Sequence, residues 1–216
     1  MRRRGAAIAR RLSRAFLSRD SAQVAPDLVG ALIVTGAGTA AEVRARIVEV
    51  EAYRGGDDPA SHAFRGSTPR AAIMFGAPGH LYVYLSYGIH HCANVVCAPV
   101  GIASAVLLRA AVVEQGEGTV RSRRGRLPAR ARLLSGPGNL CKGLGLAIAD
   151  NGADLCNSGP IHLEAAAADV PLQVGPRVGI HRAVDLPLRF WWADHPAVSA
   201  PRSLRSHKGT GAEAGP

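Results

Sequence analysis

Residues 81–96 restrict the fold more than any other stretch of this chain. In Leu81-Tyr82-Val83-Tyr84-Leu85-Ser86-Tyr87-Gly88, aromatic and aliphatic residues alternate as in a half-buried strand. After the glycine a second β-rich run, Ile89 to Val96, leads away. Two strands and a tight turn make a hairpin. Alternation puts Tyr82 and Tyr84 on one face and Leu81, Val83 and Leu85 on the other, against apolar packing. Tyr87 falls at the bend beside a glycine that accepts positive φ, so its ring projects from the tip. Three of the four tyrosines lie here. Taken alone the stretch reads first as an ordinary hairpin whose tyrosines are strand formers, so any further purpose has to come from its surroundings.

At 216 residues, 47% of them hydrophobic, one domain with a sizeable core is expected. The net charge of +10 and pI near 10.5 suit a polyanionic partner, nucleic acid ahead of an anionic membrane surface. Arginine outnumbers lysine 24 to 2 in a chain rich in Ala, Gly and Pro, as a GC-rich genome would dictate without selection for charge. Charge therefore supports that reading without carrying it. Cys92, Cys97, Cys141 and Cys156 form no C-x-x-C pair and none of the usual zinc spacings, which predicts reduced thiols in a cytoplasmic protein with no metal. No run of eighteen apolar residues exists, so no membrane span is expected. The stretch to Arg19 holds seven arginines and no acid. It fits a mitochondrial-type presequence or a basic arm on a bacterial protein, and the arm is preferred because the helical pattern runs straight on.

Residues 8–33 look helical, with a second short helix around Val24–Leu32. The strand from Val43 to Tyr53 should place Val48, Val50 and Ala52 on one face and Ile47, Glu49, Glu51 and Tyr53 on the other. Gly55-Gly56-Asp57-Asp58-Pro59 opens a loop carrying His62 and Arg70. A third strand is expected over Ala103–Val113, with Val106 and Leu108 buried and Arg109 on the alternate face. The six arginines of residues 121–132 suggest an exposed loop or frayed helix. Ser135-Gly136-Pro137-Gly138-Asn139 reads as a serine-capped start to a helix over Leu140–Leu146, either a plain capped turn or a phosphate-accepting helix terminus. Further strands are expected at Ile161–Leu163 and Gln173–Ile180, and a polar, frayed end from His195.

One side of the sheet would then gather Glu49, Glu51, Tyr53, Tyr84, Asn94 and Arg109, joined by His62. A carboxylate beside an arginine in a cleft can hold and deprotonate water, and facing rings can sandwich a flat ligand. The bland alternatives are a solvated strand face for the two glutamates, preferred for Glu49, and a satisfied pair for His90-His91. With Lys142 and Lys208 the only lysines, Schiff-base chemistry is poorly supported. No G-x-G-x-x-G, P-loop or G-x-S-x-G occurs. A hydrolase without cofactor is what remains.

These residues also carry a resemblance. Ile47-Val48-Glu49-Val50-Glu51-Ala52-Tyr53, Ala60-Ser61-His62, Thr68-Pro69-Arg70, Met74-Phe75-Gly76, the run Pro78 to Gly88, Asn94-Val95-Val96, Val106 to Ala110 and Ser135-Gly136-Pro137 stand in an order and spacing that resemble the alkyladenine (methylpurine) DNA glycosylases, from about Leu17 to Phe190. The resemblance implies an α+β fold: a single domain on a curved, mainly antiparallel sheet with surrounding helices and a protruding hairpin, related to the carboxyl-terminal domain of formyltransferases. It implies boundaries of 1–16 for a basic arm, 17–192 for the domain and 193–216 for a polar tail. It implies a monomer acting on duplex DNA that contains a damaged purine, without cofactor or metal. In the roles it implies, Glu51 activates water and Arg109 helps hold it; Tyr53 stacks on one side of an extruded base, with His62 and Tyr84 on the other. Asn94 crowds the amine of normal guanine, Tyr87 with Ile89 fills the gap in the duplex, and Arg70, Ser135, Gly136 and Asn139 meet phosphate. The competing reading is a non-catalytic nucleic-acid-binding module of the formyltransferase type.

Overall fold

The computed structural model describes residues 10–125 and 128–199. Four helices, α1 (Arg14–Leu17), α2 (Ser21–Leu28), α3 (Glu117–Arg124) and α4 (Pro137–Leu144), surround nine strands. In chain order these are β1 (Leu32–Thr35), β2 (Val43–Tyr53), β3 (Leu81–Ser86), β4 (His90–Val96), β5 (Ala105–Gln115), β6 (Leu134–Ser135), β7 (His162–Glu164), β8 (Leu172–Gly175) and β9 (Arg189–Trp192). All belong to one sheet whose main path runs β3-β4-β5-β2-β1-β7, with β6 on β5 and β9 bridging β2 to β8. Every pairing is antiparallel. The sheet is open, with β3 and β7 ending the path, and the architecture is α+β.

The chain begins differently from the expected long helix. Asp20 caps α2 by accepting the Ala22 N–H, but α2 ends at Leu28, because Gly30 turns at φ +93° and the β-branched Ile33-Val34-Thr35 that follows favours a strand. Leu32 therefore lies in β1. Residues 10–12 of the basic arm join the sheet as well: Leu12 is buried, its N–H donates to Leu163 O, and the Ala165 N–H donates to Arg10 O, so they extend the β7 edge. Residues 1–9 of that arm lie outside the described residues.

Strand β2 departs from strict alternation. Its pairing with β5 shifts register between Ile47 and Glu49 and again before Val50, the mark of a β-bulge. Val43, Ala45 and Ile47 face the main core before the bulge, Val50 and Ala52 after it. Val48 sits instead in a small cluster with Ala110 and Ala197 on the opposite side. The expected grouping of Val48 with Val50, and of Ile47 with the glutamates, is thus reversed at both residues. Glu49, Glu51 and Tyr53 keep their common side.

The arginine-rich segment folds further than its composition suggests. Helix α3 closes on buried Val120, and Arg121 reaches back to Glu117 one turn earlier. Arg123 donates to the carbonyls of Gly143 and Leu144 at the end of α4, where helix carbonyls lack internal partners. Residues 126 and 127 lie outside the description. Helix α4 starts at Pro137 with Gly136 as cap at φ +94° and no side-chain cap. The expected serine cap does not form, because Ser135 is the last residue of β6. At the other end β8 stops at Gly175, short of Ile180, and Arg189–Trp192 is a strand that periodicity did not announce. The segment from His195 is packed through Ser199, which is buried; the remainder of the expected tail, from residue 200, lies outside the described residues.

Candidate active site

Where β2, β5 and the β3–β4 hairpin meet, their polar face opens into a cavity of about 810 Å3. On the β2–β5 side its wall carries Tyr53, Arg109, Val178 and Ser199; His62, Tyr82, Tyr84 and Asn94 face them from the hairpin side, and Ser135 to Asn139 close one end.

Glu51 lies one layer behind this wall, fully buried. Its Oε1 accepts the Val178 N–H at 2.7 Å and faces Arg109 Nη1 at 3.1 Å. Its Oε2 accepts the Tyr53 hydroxyl at 3.0 Å. All three donors line the cavity, so the carboxylate meets the cavity through them. Among the described residues Oε2 accepts no other hydrogen bond. Burial, then the Glu51 charge, pushes the Tyr53 phenol well above its ordinary range, which keeps it a donor. Burial alone would lower Arg109, but the charges of Glu51 and Glu49 outweigh it and hold the guanidinium protonated.

Two arginines brace the rings. Arg177 lies under Tyr53, its Cζ 4.6 Å from the ring centroid, and is itself held by both oxygens of Asp58 at 2.5 and 2.8 Å and by Ala52 O. Burial opposes the charge on Asp58, yet the hydrogen bonds and charge of Arg177 prevail and lower its pKa. Arg70 places its Cζ 4.8 Å from the centroid of Tyr84. His62 meets Tyr84 edge-on at 4.6 Å, and its Nδ1 pairs with the Tyr82 hydroxyl at 3.1 Å. Burial first, and the Arg70 charge second, lower His62 to about 4, so the ring is neutral in neutral solution. Asn94 is buried and donates from Nδ2 to Tyr82 O at 3.1 Å.

The hairpin tip stands clear. Tyr87 and Gly88 take φ +49° and +67°, and the Ile89 N–H donates to Ser86 O at 3.0 Å, a turn with both central residues left-handed. Tyr87 is 84% exposed and Ile89 73%.

The residues singled out from sequence thus converge. Tyr53, His62, Arg70, Tyr84, Tyr87, Asn94, Arg109, Ser135, Gly136 and Asn139 line one cavity, Glu51 backs it, and Ile89 stands beside it at the tip. Arg70, expected on phosphate, lies over the Tyr84 ring. Asn139 donates to Ser135 O, and the Ser135 hydroxyl lies 3.4 Å from Arg132. Glu49 is no solvated strand residue: it is fully buried among Arg109, Arg189 and Ser199. Sequence reasoning missed Asp58, Arg177, Arg189 and Ser199. Arg177, Arg189 and Ser199 lie 119, 140 and 150 residues from the carboxylates they meet, and no local spacing points to them. Tyr82 could have been found, since it alternates with Tyr84.

Residues 15–196 match the family model described as methylpurine-DNA glycosylase. A Cutibacterium acnes protein is 49% identical over 87% of this chain and 98% of its own length; one from Rhodococcus jostii is 49% identical over 85% and 81%, and one from Rhodopseudomonas palustris 49% over 88% and 92%. Each of the three carries the name "Putative 3-methyladenine DNA glycosylase".

Proposed function

Because the chain belongs to the methylpurine-DNA glycosylase family, we propose that it hydrolyses the N-glycosidic bond of an alkylated or deaminated purine turned out of duplex DNA. Candidate lesions are 3-methyladenine, 7-methylguanine, hypoxanthine and ethenoadenine. The observation that carries this reading is the placing of Glu51: a buried carboxylate whose three donors all face a ring-lined cavity.

In the proposed reaction Tyr87, with Ile89 beside it, enters the duplex and occupies the space of the extruded nucleotide. Extrusion costs a few kcal/mol, least for a damaged or mispaired base, and stacking recovers roughly 1–3 kcal/mol per ring. Tyr53 receives one face of the base, His62 and Tyr84 the other, and Asn94 crowds the exocyclic amine of guanine. Water held by Glu51 and Arg109 attacks the sugar carbon C1′. The C–N bond breaks, its electron pair leaves with the base, and the water proton passes to Glu51. A cationic methylated purine departs neutral. The lowered pKa of His62 disfavours it as the source of the proton that a neutral lesion needs. Gly136, Asn139 and Ser135 offer the end of the cavity to a phosphate.

The test is excision from duplexes that each carry one of these lesions, read as abasic sites cleaved by alkali. Glu51→Gln is expected to slow excision by at least about a hundredfold while lesion-duplex binding persists. Excision undiminished in that variant refutes the role of Glu51. Binding without excision by the wild type on every lesion favours the non-catalytic module.

A further inference from the structure

Glu49 takes no part in the reaction proposed above, yet four hydrogen bonds hold its carboxylate in place. Its Oε1 accepts from Arg109 Nε, Arg189 Nε and the Ser199 hydroxyl, each at 2.8 Å, and its Oε2 accepts the Ser199 N–H at 2.6 Å. A fully buried carboxylate is tolerated only when paired and hydrogen-bonded, and here four donors and two guanidinium charges meet that demand.

The same contacts fix Arg109 at every nitrogen. Nε donates to Glu49, Nη1 faces Glu51 at 3.1 Å, and Nη2 donates to the Ser199 hydroxyl at 3.2 Å. The Ser199 hydroxyl has one proton, which it gives to Glu49, and free lone pairs, one of which accepts from Arg109. Its bonding is thus consistent in one direction only, and it locks the fork of Arg109 between two carboxylates. Ser199 is buried at the cavity wall. It lies beyond residue 196, where the family match ends.

We propose that Ser199, together with Glu49, is a positioning residue that holds Arg109 in register with Glu51, so that the segment after β9 completes the site. The inference rests on the hydrolytic reading above. Without the hydroxyl, Arg109 Nη2 loses its acceptor and the guanidinium is free to tilt away from Glu51. Misplacement of that kind acts on the chemical step rather than on capture of the base.

Single-turnover excision and lesion-duplex affinity, measured in parallel for wild type, Ser199→Ala, Ser199→Thr, Arg109→Ala and the double variant Ser199→Ala/Arg109→Ala, test this. S199A should lower the maximal rate between about tenfold and about a hundredfold with affinity near wild type. S199T, which keeps the hydroxyl, should lie closer to wild type than to S199A. In the Arg109→Ala background the S199A effect should vanish, because Ser199 acts through that side chain. A wild-type rate in S199A, a loss seen only in affinity, or an equal loss with and without Arg109 overturns the inference and leaves the function standing. If S199A does not fold, Ser199→Cys, similar in volume and weaker in hydrogen bonding, is read in its place. Absence of excision by the wild type sinks the hydrolytic reading, and this inference with it.

Discussion

A single protonation state decides what His62 can do in the cavity. Its ring stands against Tyr84 and pairs with the Tyr82 hydroxyl, and burial with the nearby Arg70 charge holds its pKa at about 4, below the ordinary 6.5. Between those two values the unfolded chain binds a proton that the native ring refuses, so native stability falls as pH drops through that window and is unaffected above it. His62 is partly exposed, so solvent screens the effect and only part of the ideal shift reaches stability. His62→Gln removes the titration. The melting-temperature difference, wild type minus H62Q, should therefore shrink from pH 7 to pH 5, and a difference independent of pH would show that the ring titrates normally. At this scale Glu51, Tyr53 and Arg109 were legible, because strand alternation puts Glu51 and Tyr53 on one face and sets Arg109 opposite the buried residues of its own strand. The surroundings of Glu49 were not, since its other donors come from Arg189 and Ser199, 140 and 150 residues away. A carboxylate in a strand looks alike in sequence whether water or arginine covers it.

Among the elements, the β3–β4 hairpin sets local stability against the role proposed for its tip. Its tip is the two-residue left-handed turn that Asn-Gly favours, but the first position holds Tyr87 at φ +49°. A bulky residue there costs on the order of 1 kcal/mol, and its ring recovers none of this by packing, being exposed. Tyr87→Asn should leave stability equal or raise it by about 0.5–1 kcal/mol, measured by denaturant unfolding, while it weakens capture of lesion duplex. A destabilised Y87N would mean that the ring packs on the hairpin in solution, and unchanged capture would remove its wedge role. The hairpin itself was plain in the sequence, since Gly88 and strict alternation fix both turn and register. The bulge in β2 was not. Val48 is buried on one side and Ile47 on the other, and a strand with apolar residues on both faces gives no signal of where its phase slips.

For the molecule as a whole, the charge surplus and the cavity answer different questions. The excess of ten positive charges belongs to the full chain, and seven of the basic residues, against Glu213 alone among the acids, lie outside the described residues. Within them, arginines hold the fold together: Arg14 on Asp154, Arg46 on Glu114, Arg121 and Arg130 on Glu117, Arg177 on Asp58, and Arg109 and Arg189 on Glu49. Composition could not separate these from cations that meet a polyanion, because an arginine in an ion pair and one at a rim count alike. Only the folded arrangement distinguishes them, as it does for the segment after Trp192, whose polar residues read as a tail although Ser199 reaches the buried pair. Arg182 is exposed at the cavity edge. If it neutralises one phosphate, Arg182→Ala should reduce the slope of log binding constant against log salt by about 0.9 and weaken lesion and undamaged duplex alike. A slope equal to wild type would place Arg182 off the phosphate path, and a loss confined to lesion duplex would make it a contact to the extruded nucleotide instead.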